Sequence, residues 1–196
     1  MRRVHFTEFH EADKWKATDD TSRMTRDFPQ INTDRLLLRA FAQRDFDAYA
    51  AMVADPEVMR HLADGRPLNR FDAWRQMAMF AGHWSLRGFG VWAVEERSTG
   101  EFIGRIGCFQ PEGWPEFEIA YTLARHAWGK GYAREGAAAA LKYARETLGR
   151  TSIVSIIRPD NAASIRVATS LGAVPDGEVE FFGAPAVLYR YPPVQC

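Results

Sequence analysis

The residues best suited to chemistry in this chain form a turn, Trp128-Gly129-Lys130-Gly131-Tyr132-Ala133-Arg134-Glu135. From Gly131 to Leu148 the residues Ala133, Ala137, Ala140, Leu141, Ala144 and Leu148 recur at spacings of three and four, one face of a helix, and Gly149 suits its C′ position. Two glycines ahead of that face let the backbone curl until consecutive N–H groups point at one place. The first turn of a helix leaves N–H donors unpaired, and the aligned peptide dipoles put partial positive charge behind them. A pyrophosphate suits such a site, with Lys130 and Arg134 adding charge at its rim. Other phosphate motifs fit poorly. A dinucleotide fingerprint needs a third glycine where the chain has Arg134, and a P-loop needs Ser or Thr where it has Gly131. A Gly-x-Gly turn before a helix also has a purely connective reading.

The remaining reactive side chains point away from other chemistries. Histidines occur at positions 5, 10, 61, 83 and 126, none paired at a metal-site spacing and none beside a cysteine cluster, so no catalytic metal is expected. The Gly-x-Ser-x-Gly elbow of serine hydrolases does not occur. Cys108 sits in a strand-like run, where a lone cysteine reads as a small buried residue before it reads as a nucleophile. Cys196 is far from it in sequence, and the two make no disulfide framework. Lys plus Arg and Asp plus Glu number 25 each, so no global field draws the chain to nucleic acid or to an anionic membrane. No apolar run approaches the ~20 residues that cross a bilayer. The charged N-terminal stretch lacks a signal-peptide core, which makes the cytoplasm the expected compartment.

A chain of 196 residues with 46% hydrophobic content buries a sizeable core and reads as one domain, residues 31–196, preceded by a polar arm, residues 1–30. The arm reads as a tail, or as a segment that packs on a partner subunit through Trp15, and Met24 offers an alternative translation start. Residues 35–41 read as a strand, and residues 44–54 as a helix ending before Pro56. Residues 69–86 carry Phe71, Trp74, Met77, Ala78, Ala81 and Trp84 at helical spacing, an aromatic face expected in the core. Residues 89–95 and 101–109 flank the turn Arg97-Ser-Thr-Gly100 and read as an antiparallel hairpin. The loop at 110–115, with Trp114 either covering the site or capping the core, leads to a strand at 117–123. Residues 151–157 form a β-branched strand stopped by Arg158-Pro-Asp-Asn161, a helix follows to Leu171, and residues 178–191 close the fold as a hairpin around Gly183-Ala-Pro185.

Phe117-Glu-Ile-Ala-Tyr-Thr-Leu123, Trp128-Gly-Lys-Gly-Tyr-Ala133, Arg158-Pro-Asp-Asn-Ala-Ala-Ser164 and Leu171-Gly172 occur in this order. Together they resemble the GNAT N-acetyltransferases. With Thr33-Asp-Arg-Leu-Leu-Leu-Arg39 they look like the branch containing the ribosomal-protein N-terminal acetyltransferases (RimJ/RimL-like), and the resemblance spans residues 31–192. It implies a mixed α/β fold of the acyl-CoA N-acyltransferase type, a mostly antiparallel twisted sheet of about seven strands flanked by helices. It also implies acetyl-CoA as cosubstrate, an amine as acceptor, and direct transfer in a ternary complex without an acyl-enzyme.

The resemblance assigns roles to residues. Trp128, Gly129, Lys130, Gly131, Tyr132, Ala133 and Arg134 would anchor the cofactor pyrophosphate. Backbone groups of Tyr121, Thr122 and Leu123 would pair with the pantetheine amides in a gap beside their strand, and a backbone N–H near Ala120 would polarise the thioester oxygen. Asn161 would hydrogen-bond the pantetheine arm and Ser164 would sit near the sulfur; both residue types also cap helices. Glu118 would take the proton from the attacking amine; its other reading is a strand carboxylate paired with an arginine such as Arg105. An α-amine, with a pKa of about 7.7–8.0, needs only modest help from such a base, whereas a lysine amine at about 10.4 needs far more. His61, Asp64 and Arg66 fall where the family's first helices wall the acceptor cleft and are candidate specificity residues.

One position departs from the family. The tyrosine seven residues past the asparagine, which protonates the departing thiolate in many members, is Ala168 here. Ser164, water or another tyrosine would then serve, or no acid is needed because the thiolate leaves readily. The expected acceptor is a protein N-terminal α-amine. The alternatives are a small amine such as a polyamine, amino sugar or aminoglycoside, or CoA binding without catalysis. An acidic cleft would favour polyamines and aminoglycosides. A homodimer is the commonest assembly for a homo-oligomer.

Overall fold

The computed structural model describes residues 28–193, so Trp15, Met24, Cys196 and most of the N-terminal arm lie outside the described residues. The chain runs β1 (Ile31–Asn32), β2 (Leu36–Arg39), α1 (Phe46–Val53), α2 (Pro56–Met59), α3 (Arg70–Arg87), β3 (Val91–Glu96), β4 (Glu101–Phe109) and β5 (Glu118–Leu123). It continues with α4 (Tyr132–Glu146), β6 (Val154–Ile157), α5 (Ala162–Ser170), β7 (Val174–Phe181) and β8 (Ala184–Arg190). The strands form one sheet of eight in the order β1-β2-β3-β4-β5-β6-β8-β7. Every neighbouring pair is antiparallel except β5 and β6. The expected sheet had about seven strands; a pattern of alternating residues cannot announce a strand as short as the two-residue β1.

The sheet separates two cores. On one side Leu36, Ile106, Ile119 and Leu123 pack against Ala137, Ala140, Leu141 and Ala144 of α4. On the other, Val91, Ala93, Phe102 and Phe109 meet Tyr49, Val53, Met77 and Phe80 of α1 and α3. Burial of this kind stabilises by roughly 25 cal/mol per Å² of apolar surface. Phe28 already belongs to the packed body, edge-on to Trp84 at 5.7 Å.

The face that α3 buries differs from the expected one. Ala73, Met77, Phe80, His83 and Trp84 are buried, whereas Phe71 and Trp74 are 69% and 50% exposed and Ala78 and Ala81 are exposed too. Apolar residues surround this helix, so its period admits two stripes, and contact with α1 and the sheet selects the one through Ala73 and Phe80. His83 joins the buried face because both ring nitrogens are satisfied. Its Nδ1 lies 2.7 Å from the Phe89 carbonyl, and its Nε2 accepts from the Gln110 N–H at 3.2 Å. The closing hairpin also starts earlier than expected, at Val174, with a bulge between Pro175 and Glu178.

Candidate active site

β5 and β6 are in register only at Glu118 and Val154. Beyond that pair they part, and side chains hold them apart. Ser155 Oγ donates to the Ile119 carbonyl at 2.7 Å and accepts from the Tyr191 hydroxyl at 2.9 Å. The carbonyl is thereby satisfied without a partner in the β ladder.

A cleft of about 650 Å³ lies where the strands diverge. Tyr121, Thr122 and Leu123 form one wall, Asn161 and Ser164 the opposite one, and Trp128, Gly129, Gly131, Tyr132, Ala133 and Arg134 one end. Gly129 and Gly131 have φ of 74° and 81°, a region that costs a residue with a Cβ, and Gly131 is the N-cap of α4. Lys130 lies outside the lining: its carbonyl accepts from Arg35 Nη1 at 2.9 Å, and its ammonium sits 5.8 Å from the Tyr132 ring centre.

The stretch 33–39 braces this turn. Glu135 Oε1 accepts from the Thr33 hydroxyl at 2.6 Å and the Arg35 backbone N–H at 2.9 Å, while Oε2 accepts from Arg35 Nε at 2.7 Å. Burial pushes the Glu135 pKa up, but these donors outweigh it and hold the carboxyl below its ordinary value.

A second cavity, of about 280 Å³, meets the cleft at His61, Leu62, Tyr121, Thr122, Asn161 and Ser164. Cross-strand pairing of β4 with β5 puts Arg105 opposite Thr122, Gly107 opposite Ala120 and Phe109 opposite Glu118. All but Gly107 line this cavity, together with Phe80, Trp114, Phe181 and Phe182.

Glu118 is buried in that wall. Its Oε2 accepts from the Trp114 indole N–H at 2.8 Å and its Oε1 from the Ile156 N–H at 3.3 Å. Burial pushes its pKa up to about 7, against the pull of those two donors and of the Arg105 charge. The group is therefore poised to take and return a proton near neutrality. It has no ion pair with Arg105, which instead stacks over Phe80 at 4.8 Å. Trp114 both covers the carboxylate and packs edge-on against Phe109 and Phe181.

Asn161 caps α5, its Oδ1 accepting from the Ser164 N–H at 3.1 Å, so its NH2 is the group it can offer a ligand. The Tyr121 hydroxyl donates to the Ser164 carbonyl at 3.0 Å. Burial, and secondarily the neighbouring Tyr191, push the Tyr121 pKa well up, so this hydroxyl offers a hydrogen bond and not a ready proton. Ala168 is fully buried in the core. His61 lines both cavities with Nδ1 at 3.3 Å from Asp160, whereas Asp64 and Arg66 lie outside both linings and pair with each other at 3.7 Å. Among the described residues no group of three or more His, Cys, Asp or Glu side chains is arranged to hold a metal ion.

Sequence reasoning missed Ser155 and Tyr191, whose roles depend on contacts across 36 residues of chain, and treated Arg105 only as a partner for Glu118.

A strand splayed from its parallel neighbour, a glycine turn at a helix start and a buried carboxylate beside the gap form the arrangement that the family resemblance leads one to expect of an acyl-CoA transferase. The chain belongs to the GNAT acetyltransferase family: residues 35–174 match the acetyltransferase (GNAT) domain. It is an N-acetyltransferase of that family. Uncharacterized protein YkkB of Bacillus subtilis (strain 168) is 34% identical over 169 residues, covering 82% of this chain and 94% of its own. The acetyltransferase from Agrobacterium tumefaciens str. C58 superposes with a TM-score of 0.76 at 32% identity, over 84% of this chain and 94% of that one. Two structures share the fold at lower identity. The ribosomal-protein-S5-alanine acetyltransferase from Vibrio fischeri has 17% identity and a TM-score of 0.63 over 85% and 97% of the chains. The spermidine N-acetyltransferase from Vibrio cholerae, in complex with CoA and spermine, has 21% and 0.65 over 81% and 94%.

Proposed function

We propose that this chain transfers the acetyl group of acetyl-CoA directly to an α-amine in a ternary complex, with Glu118 as the base. The observation that carries this reading is the Glu118 carboxylate, at a pKa of about 7, in the wall of a cavity that joins the cofactor cleft at Tyr121 and Thr122. In this reading the turn around Gly129 and Gly131 holds the pyrophosphate, and the exposed edge of β5 from Ala120 to Leu123 pairs with the pantetheine arm. Glu118 takes the amine proton, directly or through water, as nitrogen attacks the thioester carbon. The backbone N–H near Ala120 stabilises the charge that develops on the carbonyl oxygen. A base near 7 matches an α-amine of pKa about 7.7–8.0. With Ala168 in the core and the Tyr121 pKa raised, the thiolate departs without a side-chain acid.

The cavity lining favours an α-amine over a polyamine or aminoglycoside. It is lined by the guanidinium groups of Arg105 and Arg158 and by the single carboxyl of Glu118, so a polycation would meet two guanidinium groups. A protein N-terminus of the ribosomal-protein type and a free amino acid both offer an α-amine, and the pKa of about 7.7–8.0 that a base near 7 matches is that of a chain terminus, which favours the first. The test is thiol release from acetyl-CoA across N-terminal peptides, amino acids, polyamines and aminoglycosides, in wild type and Glu118→Gln. Turnover of α-amines that falls by roughly 10²–10⁴ in the variant is expected. Turnover confined to polyamines, or cofactor binding with no turnover, refutes the reading.

A further inference from the structure

We infer that Arg105 recognises the acceptor, and that the acceptor carries a carboxylate near its amine; this rests on reading the smaller cavity as the acceptor site. Arg105 reaches that cavity through an irregularity in β4. Val94 pairs with Gly104 and Glu95 with Phe102, which leaves Ile103 without a partner on β3. A bulge of this kind re-aims the side chains that follow it. Phe102 therefore packs on the α1 and α3 side, Ile106 packs on the α4 side, and Arg105 shares the face of Phe102.

The guanidinium is costly where it stands. Arg105 is only 9% exposed, and among the described residues no carboxylate forms an ion pair with it. Its Nε is one of two buried side-chain polar atoms without a hydrogen-bond partner among the described residues; the other is Thr122 Oγ1, on the residue directly across the ladder. Buried donors are normally satisfied, and an unmet charged one is the most expensive kind. The Phe80 ring and the Tyr49 hydroxyl beside it accommodate part of the charge, and Arg105 and Thr122 both line the cavity. A ligand carboxylate bound there would offset the guanidinium charge that no protein carboxylate meets. Glu118 lines the same cavity, so the base and the guanidinium both face a ligand held there. A volume of about 280 Å³ lies at the lower end of small-ligand sites, which suits one amino acid or the first residue of a peptide.

That carboxylate has two sources, the α-carboxyl of a free amino acid or the side chain of an acidic N-terminal residue. The experiment measures kcat/KM by thiol release for free amino acids against their amides, and for peptide amides beginning with Asp or Glu against Asn or Gln. In parallel, calorimetry measures binding of the N-acetylated amino acids and of their amides. Wild type is expected to prefer the carboxylate member of one of these sets at least tenfold, and the set identifies the source. Arg105→Met erases the preference, read as the ratio of kcat/KM within each pair so that a change common to both members cancels, and Arg105→Lys restores part of it. Equal kcat/KM and equal binding within every wild-type pair overturns the inference, and that comparison does not depend on the variants folding. Carboxylate-selective binding lost in Arg105→Met with no amine turned over retains the recognition role and refutes the proposed transfer to an α-amine. Turnover with no carboxylate preference does the reverse.

Discussion

The indole N–H of Trp114 donates to Oε2 of Glu118 at 2.8 Å, joining the loop after β4 to the first residue of β5. The bond favours the charged carboxylate and so opposes the burial that raises its pKa. Trp114→Phe keeps an aromatic ring against Phe109 and Phe181 but removes the donor. A hydrogen bond to a charged group is worth about 1.5–3 kcal/mol, and about 1.4 kcal/mol is one pKa unit. The midpoint of the kcat/KM pH profile should therefore move up by roughly one unit. An unmoved midpoint would mean that Trp114 does not tune the base, or that Glu118 is not the group the profile reports.

Glu118 also links stability to pH. Its folded pKa of about 7 lies above the ordinary 4.5, so between those values the folded protein keeps a proton that the unfolded chain has released. This contribution is full below about 4.5 and is lost as pH rises through about 7. Glu118→Gln removes the slope. The variant should melt higher than wild type at pH 8, by up to about 3 kcal/mol less the cost of offering one acceptor oxygen where the carboxylate offers two. The two curves should converge toward pH 4.5. Parallel melting curves across that range would contradict a buried, neutralised Glu118.

The parts of this site that were legible in the sequence are those that depend on local backbone rules. Gly129 and Gly131 mark left-handed positions before an amphipathic helix, and the run at 117–123 alternates as a strand should. What was not legible depends on pairing between distant segments. Arg105 faces the cavity because Ile103 has no partner on β3, which no local pattern in β4 reveals. The splay of β5 from β6 rests on Ser155 reaching Ile119, and a serine in a β-branched strand gives no sign of that. The face of α3 was misread for a related reason: Phe71 and Trp74 weigh heavily in any apolar pattern, yet the buried stripe includes the small Ala73 and the polar His83.

The brace on the glycine turn that we propose holds the pyrophosphate can be tested apart from the chemistry. Arg35 and Glu135 are 100 residues apart and join through one ion pair and two further hydrogen bonds, while Arg35 also lies over the Tyr132 ring at 4.7 Å. Arg35→Met should leave the fold intact, because the arginine side chain is half exposed. The turn would lose its fixed shape, and KM for acetyl-CoA should rise roughly tenfold, the equivalent of about 1.4 kcal/mol. Acceptor KM should stay within twofold, by titration at saturating cofactor. A rise confined to the acceptor would show that the brace serves another site.

The second arginine of that stretch has a purely structural task. Arg39 donates from Nη1 and Nη2 to the two oxygens of Asp45 at 2.7 and 2.8 Å, and from Nε to Glu95 at 2.8 Å. Asp45 is buried and also accepts from the Ala42 N–H at 2.8 Å. Burial raises the Asp45 pKa, but Arg39 and the Ala42 N–H outweigh it, so the folded value is depressed. Its stabilisation is present above the ordinary aspartate pKa and is lost as pH falls through the depressed one. Asp45→Ala strands a buried guanidinium and should cost about 3–5 kcal/mol at neutral pH. Asp45→Asn keeps the shape and one acceptor and should cost less. The penalty for either variant should shrink in acid, where wild-type Asp45 also gains a proton, and kcat should not change in whatever fraction remains folded. Denaturant unfolding at pH 7 and pH 3 measures this; a penalty that does not vary with pH would place the stabilisation in the packing of Asp45 and not in its charge.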